Sequence, residues 1–431
     1  MKSNVMLQNM LGGRQAMRTA RIAAAALLVS LFIPAVSQAL SLSGDSSTYV
    51  QSREESDGSN ILGGYEYLDF SVQDIGNEAV SFHTGGWLRY DFQDEQFGKR
   101  SNSDLQYSYL SFKRATGNTV VNLGRVMVFE GVAAERVDGV YARTDLMGGF
   151  GISAFGGAPV ETNIDRPGND VIYGGRISHQ GEMYRIGVSV LKEEKNKQDY
   201  RTETGIDLWV HPMDKVDVTG RSSYNDITEG WMEHSYALLL GPFANLQLAA
   251  TASWINYDDY FFQSTTDAFS LRSGIIEPGE KVRILGAEAS YPLTDKALVS
   301  VDYDNFDYDI AGKADRYGGK VRYSMSESAG AGIGYHRMAG ETDLLKYHEY
   351  RFFYFRKIGR TDVALDLFDV SYDEPRSGVK DAYSASLAAT YALTDAWRLG
   401  ADLEYSHNPD FDQDIRTFVK VLYHFGAKGG V

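Results

Sequence analysis

From residue 60 to the C terminus, the chain is built of segments in which apolar residues alternate with polar or charged ones. In one such segment Trp397, Leu399 and Leu403 fall on one side, whereas Arg398 and Asp402 fall on the other. Successive side chains of a β-strand point to opposite faces of a sheet, so this period of two predicts strands with one apolar and one polar face.

Short turns separate these segments, and each contains Gly, Pro, Asn, Asp or Ser where a chain reversal needs them. Ten of them are predicted to lie at one end of the sheet: 75–78, 115–118, 146–149, 179–182, 211–214, 241–244, 292–295, 325–328, 358–361 and 392–395. Ten turns imply twenty strands, and an opening strand near 42–54 and a closing strand near 413–425 bring the prediction to about 22, within a range of 18–22. Connections at the other end are predicted to be longer and acidic: 93–103, 159–168, 258–280 and 374–379.

Residues 1–39 have the features of an export signal. Basic residues precede an apolar run over 22–33, and small residues end the segment. That run is too short to span a bilayer as a helix. We therefore predict a signal peptide over residues 1–39 and, over residues 40–431, an all-β transmembrane antiparallel up-and-down β-barrel with its apolar face toward lipid and short periplasmic turns.

Composition narrows the possible functions. The chain has no cysteine, so thiolate metal sites and covalent c-type haem are excluded, and its eight histidines show no ligand spacing. No metal, cofactor or catalytic centre is expected, and the protein is predicted not to be an enzyme. The net charge of −16 argues against nucleic acid as a partner. The acidic group Asp302, Asp304, Asp307 and Asp309 is interpreted as a solvated rim at the outer end of a strand, with carboxylates at alternate positions sharing one face.

One stretch carries a more specific signal. Leu123-Gly124-Arg125-Val126 is followed by Gly131 and then by Arg136-Val137-Asp138-Gly139-Val140. This stretch resembles Gram-negative outer-membrane porin-like barrels, in which one strand ends in Gly-Arg and the next begins with Asp-Gly. The resemblance implies that Arg125 points into the lumen and that the 129–136 connection leans over it. Alternatively, Arg125 or Arg136 forms a structural salt bridge with Asp138 or Glu130.

Charged residues on the polar faces are predicted to line a water-filled pore. They are Arg89, Asp91, Arg125, Arg136, Asp138, Arg185, Glu288, Asp302, Lys320, Arg322, Arg398, Asp402 and Glu404. Mixed charge indicates a hydrated path, and the acidic excess predicts that cations are favoured over anions.

The sequence favours a porin-like channel in the cell outer membrane that passes small hydrophilic solutes passively. The main alternative is the barrel sheath of a porin–cytochrome electron conduit, because about 22 strands enclose a wide lumen and the predicted first strand leaves no plug before it. An outer-membrane hydrolase and a soluble β-sandwich are weaker alternatives. Expected partners are membrane lipid and lipopolysaccharide, with a periplasmic multihaem cytochrome or further copies of the chain as alternatives.

Overall fold

A computed structural model describes residues 40–54, 60–75, 79–93, 99–114, 117–160, 170–260 and 279–428. Nearly all of these residues form β-strands, and the longest α-helical segment among them is one turn, Tyr257–Tyr260. Within these ranges no helix is long and apolar enough to cross a membrane. The predicted signal peptide, residues 1–39, lies outside the described residues and stays a prediction.

The strands are β1 (Ser41–Glu54), β2 (Asn60–Gln73), β3 (Val80–Asp91), β4 (Ser101–Lys113), β5 (Val120–Glu130), β6 (Ala133–Asp145), β7 (Phe150–Pro159), β8 (Val171–Gln180), β9 (Tyr184–Lys195), β10 (Gln198–Met213), β11 (Val216–Asn225), β12 (Gly230–Phe243), β13 (Leu246–Asn256), β14 (Lys281–Pro292), β15 (Ala297–Tyr308), β16 (Gly312–Ser326), β17 (Ala329–Gly340), β18 (Lys346–Ile358), β19 (Thr361–Arg376), β20 (Val379–Ala392), β21 (Trp397–Asn408) and β22 (Phe411–Lys428).

All 22 strands belong to one sheet, and each strand runs antiparallel to the next along the chain. The first and last strands pair from Ser41 with Lys428 to Ser52 with Thr417, which closes the sheet into a barrel. The predicted all-β barrel of about 22 strands is confirmed. The ten predicted turns all fall between an even-numbered strand and the following odd-numbered one, and hence at one end of the barrel. Of these turns, residues 76–78 and 115–116 lie outside the described residues.

The opposite end differs from the prediction at one place. The 374–379 connection is a two-residue turn, Ser377-Gly378, because β19 continues to Arg376 and β20 begins at Val379. The guanidinium of Arg376 lies 4.2 Å from the ring centre of Tyr372, so side-chain packing continues to the end of the strand. The other three predicted long connections include residues 94–98, 161–169 and 261–278, which lie outside the described residues.

Two rows of aromatic side chains mark the outer face. The row near the predicted extracellular end contains Tyr303, Tyr317, Tyr335, Tyr350 and Tyr383, and the row near the other end contains Tyr291, Tyr323, Tyr391, Trp397 and Tyr423. On β20 the rows are eight residues apart, from Tyr383 to Tyr391, which is roughly 26 Å along a tilted strand. Aromatic girdles at this separation are typical of barrels that cross a bilayer.

Apolar side chains fill the band between the two girdles. Ile333, Leu387 and Val301 are each about half exposed on the outer face, at 60%, 49% and 54%. Contact with hydrocarbon removes such side chains from water, at about 25 cal/mol for each Å² of apolar surface. The exposed apolar surface of the barrel is therefore the surface that lipid covers.

A carboxylate lies within this band. Glu66 lies on the outer face of β2, opposite Thr48 on β1 and Leu88 on β3. Its two carboxylate oxygens accept hydrogen bonds from the hydroxyls of Ser46, at 2.7 Å, and Thr48, at 2.5 Å. Both oxygens thus have protein donors at a depth where lipid offers none.

Candidate functional site: a charged lumen narrowed by an inward hairpin

The hairpin formed by β5 and β6 leaves the barrel wall halfway along its length. Strand β5 pairs with β4 only as far as Arg125 opposite Ser108, and β6 pairs with β7 only from Val137 opposite Pro159. The two strands of the hairpin remain paired with each other up to Glu130 and Ala133. Residues 126–137 are here called the inward hairpin: from Val126 onward β5 has no partner in β4, and β6 meets the wall again only at its end, where Arg136 and Val137 join β7.

Gly124 lies where β5 separates from β4. Its φ of +131° is a conformation that residues with a side chain rarely adopt, and a Cβ there would stand 2.4 Å from the carbonyl oxygen of Ser108. This glycine explains why the Gly-Arg pair marks the bend. The backbone turns at Gly124, and Arg125 follows immediately.

The inward hairpin is packed against the inner side of the barrel. Val126, Val128 and Val137 contact Leu191 and Phe155 in the largest apolar cluster of the described residues, and all but Phe155 are at most 1% exposed. Leu191 and Phe155 lie on the face of β9 and β7 opposite the lipid-facing Val190 and Ala154. The cluster is therefore a dry core inside the barrel.

Polar contacts hold the tip of the inward hairpin. The backbone N–H of Val132 donates to the hydroxyl of Ser189, at 3.0 Å, and a Cβ on Gly131 would collide with that hydroxyl. Arg201 of β10 binds Glu135 of the hairpin at 2.5 Å and also pairs with the buried carboxylate of Glu203. Charge-assisted bonds in partly buried positions of this kind fix geometry more strongly than surface pairs do.

Replacing Leu191 with alanine is expected to weaken the docking of the inward hairpin. The side chain is 0% exposed, and large-to-small changes at such positions cost about 2–5 kcal/mol. Hydrogen–deuterium exchange of peptides covering residues 126–137 should speed up accordingly. In the control Val190→Ala, on the outer face of the same strand, exchange of these peptides should be unchanged. Equal exchange in both variants would contradict the packing described.

The predicted charges at the base of the hairpin come together. Arg125 binds Asp138 through Nε at 2.7 Å and Nη2 at 3.1 Å, and donates from Nη1 to the carbonyl of Leu105 at 2.8 Å. Arg136 pairs with Asp104 of β4, and Arg125 lies 3.9 Å from that carboxylate. The salt-bridge alternative is thus realised between Arg125 and Asp138, at the point where the 129–136 connection begins to lean inward.

A second group of charges covers the inner faces of β14–β18. Arg316 lies 3.2 Å from Asp302, 3.6 Å from Asp304 and 3.0 Å from Glu349, and His336 lies 3.0 Å from Asp302. Three carboxylates thus surround one guanidinium. They line a recess of about 520 Å³, whose floor includes the rings of Phe353 and Phe368. We call this group the charged wall.

The structure corrects the interpretation of the acidic group as a rim. Asp302 and Asp304 lie in the middle of β15 and belong to the charged wall. Asp307 lies on the opposite face, 3.7 Å from Lys313, because it stands three positions after Asp304 along the strand. The four carboxylates therefore do not share one face.

Ten of the thirteen predicted lumen residues lie on the inner face of the sheet, which is the face turned away from the lipid-facing apolar residues. Among them, Arg89 pairs with Asp91 at 3.2 Å, Glu288 with Lys320 at 3.6 Å, and Asp402 with Lys420 at 3.1 Å. The ten are Arg89, Asp91, Arg185, Glu288, Asp302, Lys320, Arg322, Arg398, Asp402 and Glu404. The other three, Arg125, Arg136 and Asp138, share a strand face with Leu123 and Met127 and reach the inner side because the hairpin bends there.

Several residues of the site are missing from the sequence prediction. Arg316 and Arg201 are the clearest cases, and the Arg176–Asp207 pair, at 2.6 Å, is another. The alternation that assigns Lys320 and Arg322 to the inner face extends back to Arg316, so the signal for Arg316 was present. No periodicity could have identified Arg201, because its role depends on where the hairpin tip docks.

The sequence matches no family model and no curated protein. Among solved structures, the chain is similar to a mutant form of the ferric enterobactin receptor of Pseudomonas aeruginosa, with 10% identity over 90% of this chain and 81% of that chain, and a TM-score of 0.58. It is also similar to OccAB4 of Acinetobacter baumannii, with 9% identity over 91% of this chain, 100% of that chain and a TM-score of 0.46.

At this level of identity the shared feature is the fold. That fold is a closed, antiparallel β-barrel, and the two aromatic girdles on its outer face are typical of barrels that cross a bilayer.

Proposed function

We propose that the protein is an outer-membrane channel for the passive passage of small hydrophilic solutes. The observation that carries the proposal is the inner face: ion pairs lie on it from β3 to β22, and the inward hairpin occupies part of the space that these strands enclose. A wall of this kind keeps water inside while hydrocarbon covers the outside. The thirteen predicted lumen residues are proposed to line this path.

We further propose that cations pass more readily than anions. The three carboxylates around Arg316 leave a local negative excess on the charged wall, and its recess opens toward the lumen. Rings or rows of carboxylates favour cations in a pore.

Reversal potentials in planar bilayers test this preference. Under a potassium chloride gradient, the purified protein should give a potential of the sign expected for cation flow. Asp304→Asn should shift that potential toward the anion value, whereas Asp307→Asn, on the outer face of the same strand, should leave it unchanged. An anion-selective wild type would refute the preference, and absence of any channel current would refute the channel itself.

The conduit sheath and the outer-membrane hydrolase have less support than the channel. A conduit sheath has to leave room for a multihaem partner, yet the inward hairpin occupies part of the lumen. A hydrolase needs an activated nucleophile. The hydroxyl of Ser222 lies 2.7 Å from Nδ1 of His234, but on the outer face, where the imidazole ring contacts Trp231 and Trp254 and the hydroxyl also contacts the Tyr236 hydroxyl at 2.7 Å. These contacts satisfy the serine within the aromatic girdle and supply no oriented base.

A further inference from the structure

Aromatic rings cover one side of the inner wall. Tyr49 of β1 stacks on Phe418 of β22, with ring centres 4.9 Å apart, and meets Tyr67 of β2 edge to face at 5.5 Å. Trp87 of β3 is the register partner of Tyr67. We call Phe418, Tyr49, Tyr67 and Trp87 the aromatic row. It crosses four neighbouring strands, a distance of about 15 Å at the usual strand spacing.

The row lies on the lumen side of the sheet. Lys420, two residues after Phe418, pairs with Asp402 at 3.1 Å, and both alternate with the lipid-facing Val419 and Leu403, which are 55% and 50% exposed. Tyr67 is nevertheless 40% exposed. The other three rings are partly buried, so the row presents ring surface that is only in part covered by the protein. Covering the rest of it with a ligand releases free energy.

The inward hairpin extends this surface. Phe129 is 70% exposed and Met127 is 45% exposed, on the hairpin face that does not pack against the inner wall. Arg136, on that same face, binds Asp104, which is the register partner of Trp87. The aromatic row therefore ends beside the constriction, where a solute must pass close to the wall.

Polar groups flank the rings at regular spacing. Ser47 is the register partner of Tyr67, and Gln51 is the register partner of Phe418, so both side chains stand beside Tyr49 on the lumen side. The ammonium of Lys420 lies 5.8 Å from the centre of the Phe418 ring. The row thus offers flat apolar faces with hydrogen-bonding groups at their edges.

We propose that the aromatic row binds saccharides, so that the channel takes short oligosaccharides as solutes; this inference rests on the proposed channel function. A pyranose presents C–H groups on its faces and hydroxyls around its edge, and this matches rings flanked by an amide, a hydroxyl and an ammonium group. A single-stranded nucleic acid would also stack on rings, but it needs a positive groove. Here Lys420 is neutralised by Asp402.

Current block in planar bilayers tests the proposal. Maltohexaose, cellohexaose and chitohexaose are added separately to single channels of the full mature protein, and at least one should interrupt the ion current reversibly. In the double variant Tyr49→Ala/Phe418→Ala the half-blocking concentration should rise about tenfold, because two stacking contacts are lost. Tyr335→Ala/Tyr350→Ala, which removes a ring pair at 5.3 Å on the outer face, should leave it unchanged.

Tyr49 and Phe418 lie at the seam between the first and last strands, so Trp87→Leu on β3 provides a second test away from it. It should raise the half-blocking concentration several-fold while the open-channel current stays within the wild-type range. A channel that conducts ions but is blocked by none of the three sugars would overturn the saccharide proposal alone. Block that is equally strong in all variants would show that the sugars bind elsewhere, and absence of any conductance would overturn the channel function first.

Discussion

Replacing Leu387 with arginine is expected to lower the free energy of unfolding from the bilayer by about 2–4 kcal/mol. Leu387 lies on the outer face of β20, four residues from the girdle residue Tyr383 on one side and four from Tyr391 on the other, and it is 49% exposed. A guanidinium there would stand near the middle of the hydrocarbon, where lipid offers it no hydrogen-bond acceptor. Urea titration of the protein folded into lipid vesicles, followed by heat-modifiable gel mobility, measures the loss.

The neighbouring residue gives a matched control. Ser386 faces the lumen, and its register partners on the two adjacent strands are Asp366 and Glu404. Arginine at this position would meet water and two carboxylates, so Ser386→Arg should fold with nearly wild-type free energy. If Ser386→Arg were the more damaging change, the assignment of inner and outer faces would be wrong throughout the barrel.

Removing the inward hairpin is expected to raise single-channel conductance at least about twofold, since a lumen enclosed by 22 strands is wide unless something fills it. Arg125 and Asp138 are register partners, so an Asn-Gly turn can join them directly in place of residues 126–137. The shortened protein keeps the pairing of β5 with β4 and of β6 with β7 below the bend. Single-channel recording in planar bilayers gives the conductance.

A point variant separates the hairpin itself from its exposed side chains. Phe129→Ala leaves the apolar core of the hairpin and its contacts with Ser189 in place, because the Phe129 side chain is 70% exposed. Its conductance should stay close to that of the wild type. Unchanged conductance in the hairpin deletion would mean that residues 126–137 do not narrow the path of the ions.

The barrel could be predicted from sequence because its main determinant is local. Ser386 and Asp402 face water, whereas the next residue in each case, Leu387 or Leu403, faces hydrocarbon. The same contrast repeats along nearly every strand. Turn residues then set the number of strands. Neither signal needs knowledge of which strands meet in space.

From the sequence, the inward hairpin was indicated only by the resemblance of the stretch around Arg125 and Asp138 to porin-like barrels. Alternation of apolar and polar residues is the same whether a strand lies in the wall or inside the lumen. Val126 and Val128 alternate with Arg125 and Met127 as any wall strand would. What moves them inward is tertiary: Gly124 allows the bend, and Leu191 offers an apolar surface on a wall expected to be polar. A period of two therefore predicts which residues share a face of a strand, but it does not predict with which neighbouring strands that strand pairs.

The pairing of β1 with β22 sets the order in which the molecule can form. Asp45 and His424 make a contact at 2.9 Å although 379 positions separate them along the chain. Hairpins between consecutive strands close loops of a few residues, whereas this contact has to wait for the whole polypeptide, and closing so long a loop costs conformational entropy before any pairing compensates it. Until β22 is in place, the edge of β1 that does not pair with β2 presents unpaired backbone groups, so this edge is exposed to aggregation for longer than any hairpin strand is.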